Sequence, residues 1–232
     1  TMYPQLGAQV SWAGGVSMII SACTILSALA SDRLNERLGT GRVTAISVAT
    51  TAAALLGFSF CHAFWQLCLW AIPYGLGAGS VDAALNNYVA LHYKSRHMSW
   101  LHCMWGVGAS LGPVIMGQAL AGSGWQGGYR IIGILQVVLT VALLFSLPLW
   151  KLPQDAMGGE PFTPQHRSFP ELLKITGVPE VLVCFLCYCA LESTAGMWAS
   201  IYCTLVRGLD AQTAASWASL FYLGITAGRL VS

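Results

Sequence analysis

Polar residues break this chain at long intervals, leaving seven apolar runs at about 13–31, 43–61, 66–91, 99–121, 131–150, 178–205 and 213–231. Each is close to the roughly 17–25 residues a helix needs to cross about 30 Å of hydrocarbon. No one-sided amphipathic stripe runs through them, so the pattern predicts helices that are apolar all round rather than the helices of a soluble domain. The third and sixth runs are the longest and are expected to overshoot the hydrocarbon. The predicted fold class is an all-α membrane protein, a bundle of transmembrane helices.

Composition agrees. The chain is 56% hydrophobic and 9% charged, far below the roughly 25% charged residues of a soluble domain. A net charge of +2, spread along the chain, gives no nucleic-acid signature, so the lipid bilayer is the expected macromolecular environment. The eight cysteines lie in or at the edges of the apolar runs. Cys184 and Cys187 form one CxxC without a second pair or paired histidines, which reads as packing rather than a metal site or a disulfide framework. The first residues carry no basic segment of a signal peptide.

Charge between the runs sets orientation. Arg33, Arg37 and Arg42, then Lys94 and Arg96, then Lys151, Arg167 and Lys174 fall in alternate connections, while the other set holds Arg130 and Arg207. The positive-inside bias places 32–42, 92–98 and 151–177 in the cytoplasm. Residues 1–12 then lie outside, so at least one helix is expected before Thr1 and several after Ser232. The long, polar, Pro-containing segment 151–177 reads as a linker between an N-terminal bundle, 1–150, and the start of a second, 178–232. Ser11-Trp12-Ala13 and Ser216-Trp217-Ala218 open two spans at the same outer end, as internal repeats about an axis along the membrane normal would.

Asp82 carries the strongest chemical signal. It lies deep in an apolar run with no nearby Lys or Arg, and an isolated carboxylate at the bilayer centre costs at least ~2.5 kcal/mol, so it is expected to function. Asn86 is one helical turn on and shares its face; Asn87 points about 100° away. Desolvation favours the neutral form of a carboxyl, which makes Asp82 the candidate proton carrier. The rival reading is a structural hydrogen bond to a neighbouring helix. Glu192, midway along the sixth run, is the other intramembrane carboxylate. For it, contact with substrate or proton stands beside a role as helix–helix glue. His102 reads as structural, and Trp125 and Trp150 as interfacial anchors. Gly108-Ala109-Ser110-Leu111-Gly112 spells GxSxG inside a predicted membrane helix, where a nucleophile elbow has no strand–turn–helix context.

Several motifs now combine. Asp32-Arg33 is followed by Arg37-Leu38-Gly39-Thr40-Gly41-Arg42. Next come Gly75-Leu76-Gly77-Ala78-Gly79 with Asp82 and Asn86, then Trp100-Leu101-His102 and Gly106 to Pro113. Tyr188 and Glu192, Trp198 and Tyr202, and Gly224 to Arg229 complete the series. In this order the chain resembles the major facilitator superfamily, and within it the fucose-permease-like sugar/proton symporter branch, over helices two to eight of twelve. In the first motif Leu34-Asn35-Glu36 is an insertion, and the family's upstream glycine is absent.

The resemblance implies a secondary transporter in the cell membrane, not an enzyme. It would act as a monomer that moves a small polar solute, a sugar, with a proton through alternating access. It implies no cofactor and no metal; the proton gradient is the driving force. Asp82 and Glu192 would couple protons, and Asn86 would bind sugar hydroxyls. Trp105, Trp198 and Tyr202 would stack on the sugar ring, and Asp32, Arg33, Arg37 and Arg42 would form a gating latch. Two rivals are an efflux antiporter of the same fold, suggested by Gly108, Gly112, Gly117 and Pro113, and a seven-helix receptor. The retinal form of the latter needs a late-helix lysine, which the last two runs lack.

Overall fold

The structure, a computed structural model, describes residues 4–9, 11–150 and 169–231. Helices occupy all seven apolar runs, and no strand is present among the described residues. They are α1 (Trp12–Leu38), α2 (Thr40–Ser59), α3 (Phe64–His92), α4 (Ser95–Ala121) and α5 (Gly124–Ser146). A one-turn α6 (Phe169–Leu172) precedes α7 (Val178–Leu205) and α8 (Ala211–Val231). Five are long and apolar enough to cross a membrane by composition alone: α1, α2, α4, α7, and α5 with its 3-10 extension to Trp150. The other two are α3, which holds Asp82, Asn86 and Asn87, and α8, which holds Gln212, Ser216, Thr226 and Arg229.

The connections are tighter than the charge pattern suggests. Asp32, Arg33 and Arg37 are not in a loop but in the last turns of α1, and the whole break before α2 is Gly39. Its φ of 81° and ψ of 147° are open to glycine and strained for other residues. The basic side chains mark the helix end without unwinding it, because a helix satisfies its own backbone as it leaves the hydrocarbon. For the same reason Arg130 lies within α5, its guanidinium 5.6 Å from the Phe60 ring centre. Of the expected linker, 151–168 lies outside the described residues, and the remainder carries α6.

The helices contact one another in the order α1, α3, α2, α5, α4, α8, α7. Small residues decide the closest contacts, as they do where lipid offers no hydrophobic drive to association. Gly75 and Gly79, one turn apart on α3, lie against the backbone of α1 at Ile20 and Thr24, while Gly77 faces Ser47 and Thr51 of α2. Thr24 donates to the Gly75 carbonyl (3.2 Å), and the Ser27 hydroxyl reaches the Leu76 carbonyl and Ser80. α2 is the most buried helix, with Thr44, Ser47 and Thr51 inside, and Gln136 of α5 donates to Thr51 (2.9 Å).

Of the expected α4 glycine stripe, only Gly117 makes the predicted close approach, to Ala215 of α8; Gly108 and Gly112 meet no other helix among the described residues. Ser110, the centre of the GxSxG string, is buried and donates to the Gly106 carbonyl (2.8 Å), as a helix serine does. Trp125 is no interfacial anchor. It is 3% exposed and donates to Gln5 (2.8 Å), because the outer end of the bundle closes over its ring. Cys184 and Cys187 face outward instead of packing.

Candidate functional site

Two polar groups sit on these helices. The first is on α3, where Asn86 Nδ2 donates to Asp82 Oδ1 at 3.1 Å. The one-turn spacing read from sequence therefore brings the side chains together. Asp82 itself is exposed, while Asn86 Oδ1 is buried and has no hydrogen-bond partner among the described residues.

The second group joins α4, α7 and α8. Among the described residues of α7, Glu192 alone is buried, at 8% exposed. Leu182, Val183, Phe185, Leu186 and Leu191 face outward. This inverts the rule for a soluble helix and fits one whose apolar side meets lipid and whose charge meets protein. Arg229 of α8 approaches Glu192 Oε2 at 3.7 Å, an ion pair longer than a hydrogen bond. Arg229 Nη2 donates to the Tyr188 hydroxyl (2.9 Å) and Nη1 to the His102 carbonyl (3.4 Å). Its guanidinium lies 5.0 Å from the Trp105 ring centre, within cation–π range. Trp105 meets Tyr222 edge to face at 6.0 Å. The Tyr222 hydroxyl rests on the α7 backbone at Gly196, where any Cβ would collide with it. Glu192 Oε1 is buried and has no hydrogen-bond partner among the described residues.

The expected residues thus fall into separate places. Trp105 joins Glu192 through Arg229. Trp198 and Tyr202 lie about 9 and 15 Å further along α7, at 1.5 Å per residue, and Tyr202 sits under Arg207 at 5.8 Å. Asp82 and Asn86 belong to α3, which packs on α1 and α2. Asp32, Arg33 and Arg37 line the end of α1. Across Gly39, Arg42 borders a cavity of about 460 Å³ shared with Tyr88, Pro148 and Trp150. Arg229 and Tyr222 had no assigned role in the sequence reading. The available signal was a lone arginine inside the last apolar run, which the charge pattern absorbs as a membrane boundary.

A model of the family described as Major Facilitator Superfamily matches residues 1–232. No curated protein and no solved structure matches the chain.

Proposed function

The chain belongs to the Major Facilitator Superfamily, and from that premise we propose a proton-coupled symporter of a small polar solute, a sugar. As a member it is a secondary transporter and an integral membrane protein. The finer reading rests on one observation: among the described residues, Asn86 and Glu192 each keep a buried acceptor oxygen without a hydrogen-bond partner. Such an oxygen costs about 1–3 kcal/mol and persists where a proton or a ligand hydroxyl supplies the missing donor at another stage of a cycle.

In this reading Asp82 and Glu192 exchange protons and Asn86 offers both amide donors and its carbonyl to a hydroxyl pair. Trp105 supplies an apolar face for the ring, with Trp198 and Tyr202 further along the same route. The 1–150 bundle and the second bundle that 178–232 begins rock about the site, and Asp32, Arg33, Arg37 and Arg42 latch the cytoplasmic side in one state. The protein acts as a monomer in the cell membrane.

The test is uptake of labelled hexoses by proteoliposomes under an inward proton gradient. Gradient-driven accumulation is expected, and Asp82→Asn should abolish it while leaving the protein folded. If no hexose enters vesicles holding well-folded protein, the sugar reading is wrong.

A further inference from the structure

We propose that the end of the first bundle opposite Gly39 holds a binding site for a small, uncharged aromatic molecule of two fused rings. The proposal does not draw on the sugar-symport reading and stands or falls without it.

The site is a cavity of about 280 Å³. Its walls come from the starts of α1, α3 and α5 and the end of α2, together with Leu6 and Ala8 of the segment before α1. Phe58, Phe64, Tyr74 and Tyr129 supply four aromatic rings to the lining. The walls are held by packing behind them. Phe58 and Leu67 are 5% and 3% exposed and share one core cluster with Ala71 and Trp125, and Trp125 backs Tyr129 edge to face at 6.1 Å. A pocket formed in this way takes a ligand without first having to order its own side chains. It is also separate from the polar groups described above. Tyr74 precedes Asp82 by about 12 Å along α3, at 1.5 Å per residue, and Glu192 lies on α7, which packs on α8.

The lining selects the chemistry of the guest. No Asp, Glu, Lys, Arg or His is among the described residues that line the cavity, so nothing there offsets the desolvation of an ion. Its side-chain polar groups are the hydroxyls of Ser17, Tyr74 and Tyr129. Water at about 30 Å³ a molecule would need many more partners than these to fill the space. The same hydroxyls can orient one N–H or O–H of an otherwise apolar guest. The Phe58 ring lies 6.0 Å from Tyr74 at 54° and 5.3 Å from Tyr129 at 47°. A flat guest among rings so tilted meets one by its face and another by its edge, which a saturated chain cannot do. Size follows from volume. An apolar cavity of about 150 Å³ holds one benzene ring, so this one suits two fused rings.

The test uses 5-fluoroindole with the protein in lipid nanodiscs, its fluorine resonance compared with that in nanodiscs lacking the protein. A protein-dependent resonance that saturates at one molecule per chain is expected. Unlabelled naphthalene should displace it, whereas n-nonane, a saturated chain, and 2-naphthoate, a charged counterpart, should not. Ala13→Phe, which places a ring in the space from α1, should abolish the resonance. Ala8→Phe should do the same from the segment before α1, outside the packed helices. An unchanged thermal-unfolding profile shows that each variant folds. Absence of any protein-dependent resonance overturns the site. Displacement by n-nonane as readily as by naphthalene overturns the aromatic class and makes the cavity a seat for a lipid chain. Equal displacement by 2-naphthoate overturns the requirement for an uncharged guest. A saturable resonance that survives in both folded variants overturns the cavity as its place.

Discussion

Asp210 shows how one side chain outside the hydrocarbon sets a helix start. Its Oδ1 accepts from the amides of Gln212 (3.0 Å) and Thr213 (2.9 Å) at the opening of α8, satisfying donors that the helix cannot. The Thr213 hydroxyl and amide, then the Gln212 amide, hold its carboxyl below the usual aspartate range. A depressed folded value means the cap is fully present above the unfolded pKa and is lost as pH falls through the folded one. The protection factors of the first amides of α8, exchange measured against the intrinsic rate at each pH, should therefore fall as pH drops below the ordinary aspartate range. Asp210→Asn, which caps without titrating, should flatten that response. Equal pH dependence in the two proteins would exclude the cap as its source. At the same scale, Glu192 gives α7 its orientation, since the helix turns its charge inward and its leucines outward.

Elements in this protein meet through absent side chains. α3 offers Gly75 and Gly79 to α1 and Gly77 to α2, so one helix packs at backbone distance on two neighbours. A Cβ at position 79 would run into the Thr24 carbonyl, and main chain cannot swing aside as a side chain does. Gly79→Ala should lower stability by about 1–3 kcal/mol, read as thermal unfolding in detergent. Gly108→Ala, which meets nothing within 4 Å, should be close to neutral. Equal effects at the two positions would mean that general helix propensity, not the α1–α3 contact, is being measured. The hydroxyls of Thr24 and Ser27 strengthen the same contact, bonding to α3 carbonyls that apolar neighbours would leave with their own helix alone.

At the scale of the whole molecule, α4 and α8 form the broad contact between the 1–150 segment and the 178–232 segment. Ser219 donates to the Ser110 carbonyl (2.7 Å), and a Cβ at Gly117 would lie 3.0 Å from that of Ala215. Alternating access requires such a contact to slide or part. A Gly117→Cys/Ala215→Cys pair, with the outward-facing Cys184 and Cys187 replaced by serine, should cross-link on mild oxidation and arrest uptake, with recovery on reduction. Full transport by the cross-linked protein would show that this contact stays fixed through the cycle. The sequence by itself determined the class of molecule, the seven helical runs and the Asp82–Asn86 pairing. Hydrocarbon thickness fixes span length, and a one-turn spacing fixes which side chains share a face, so both are local properties. Tertiary structure decided what lies far apart in the chain. It brought Trp105, Glu192 and Arg229 from three helices to one place, buried Trp125, and reduced the charged 32–42 segment to a break at Gly39. Those outcomes depend on which helices touch and how closely, and that is set by glycine, serine and threonine contacts whose partners no local pattern names.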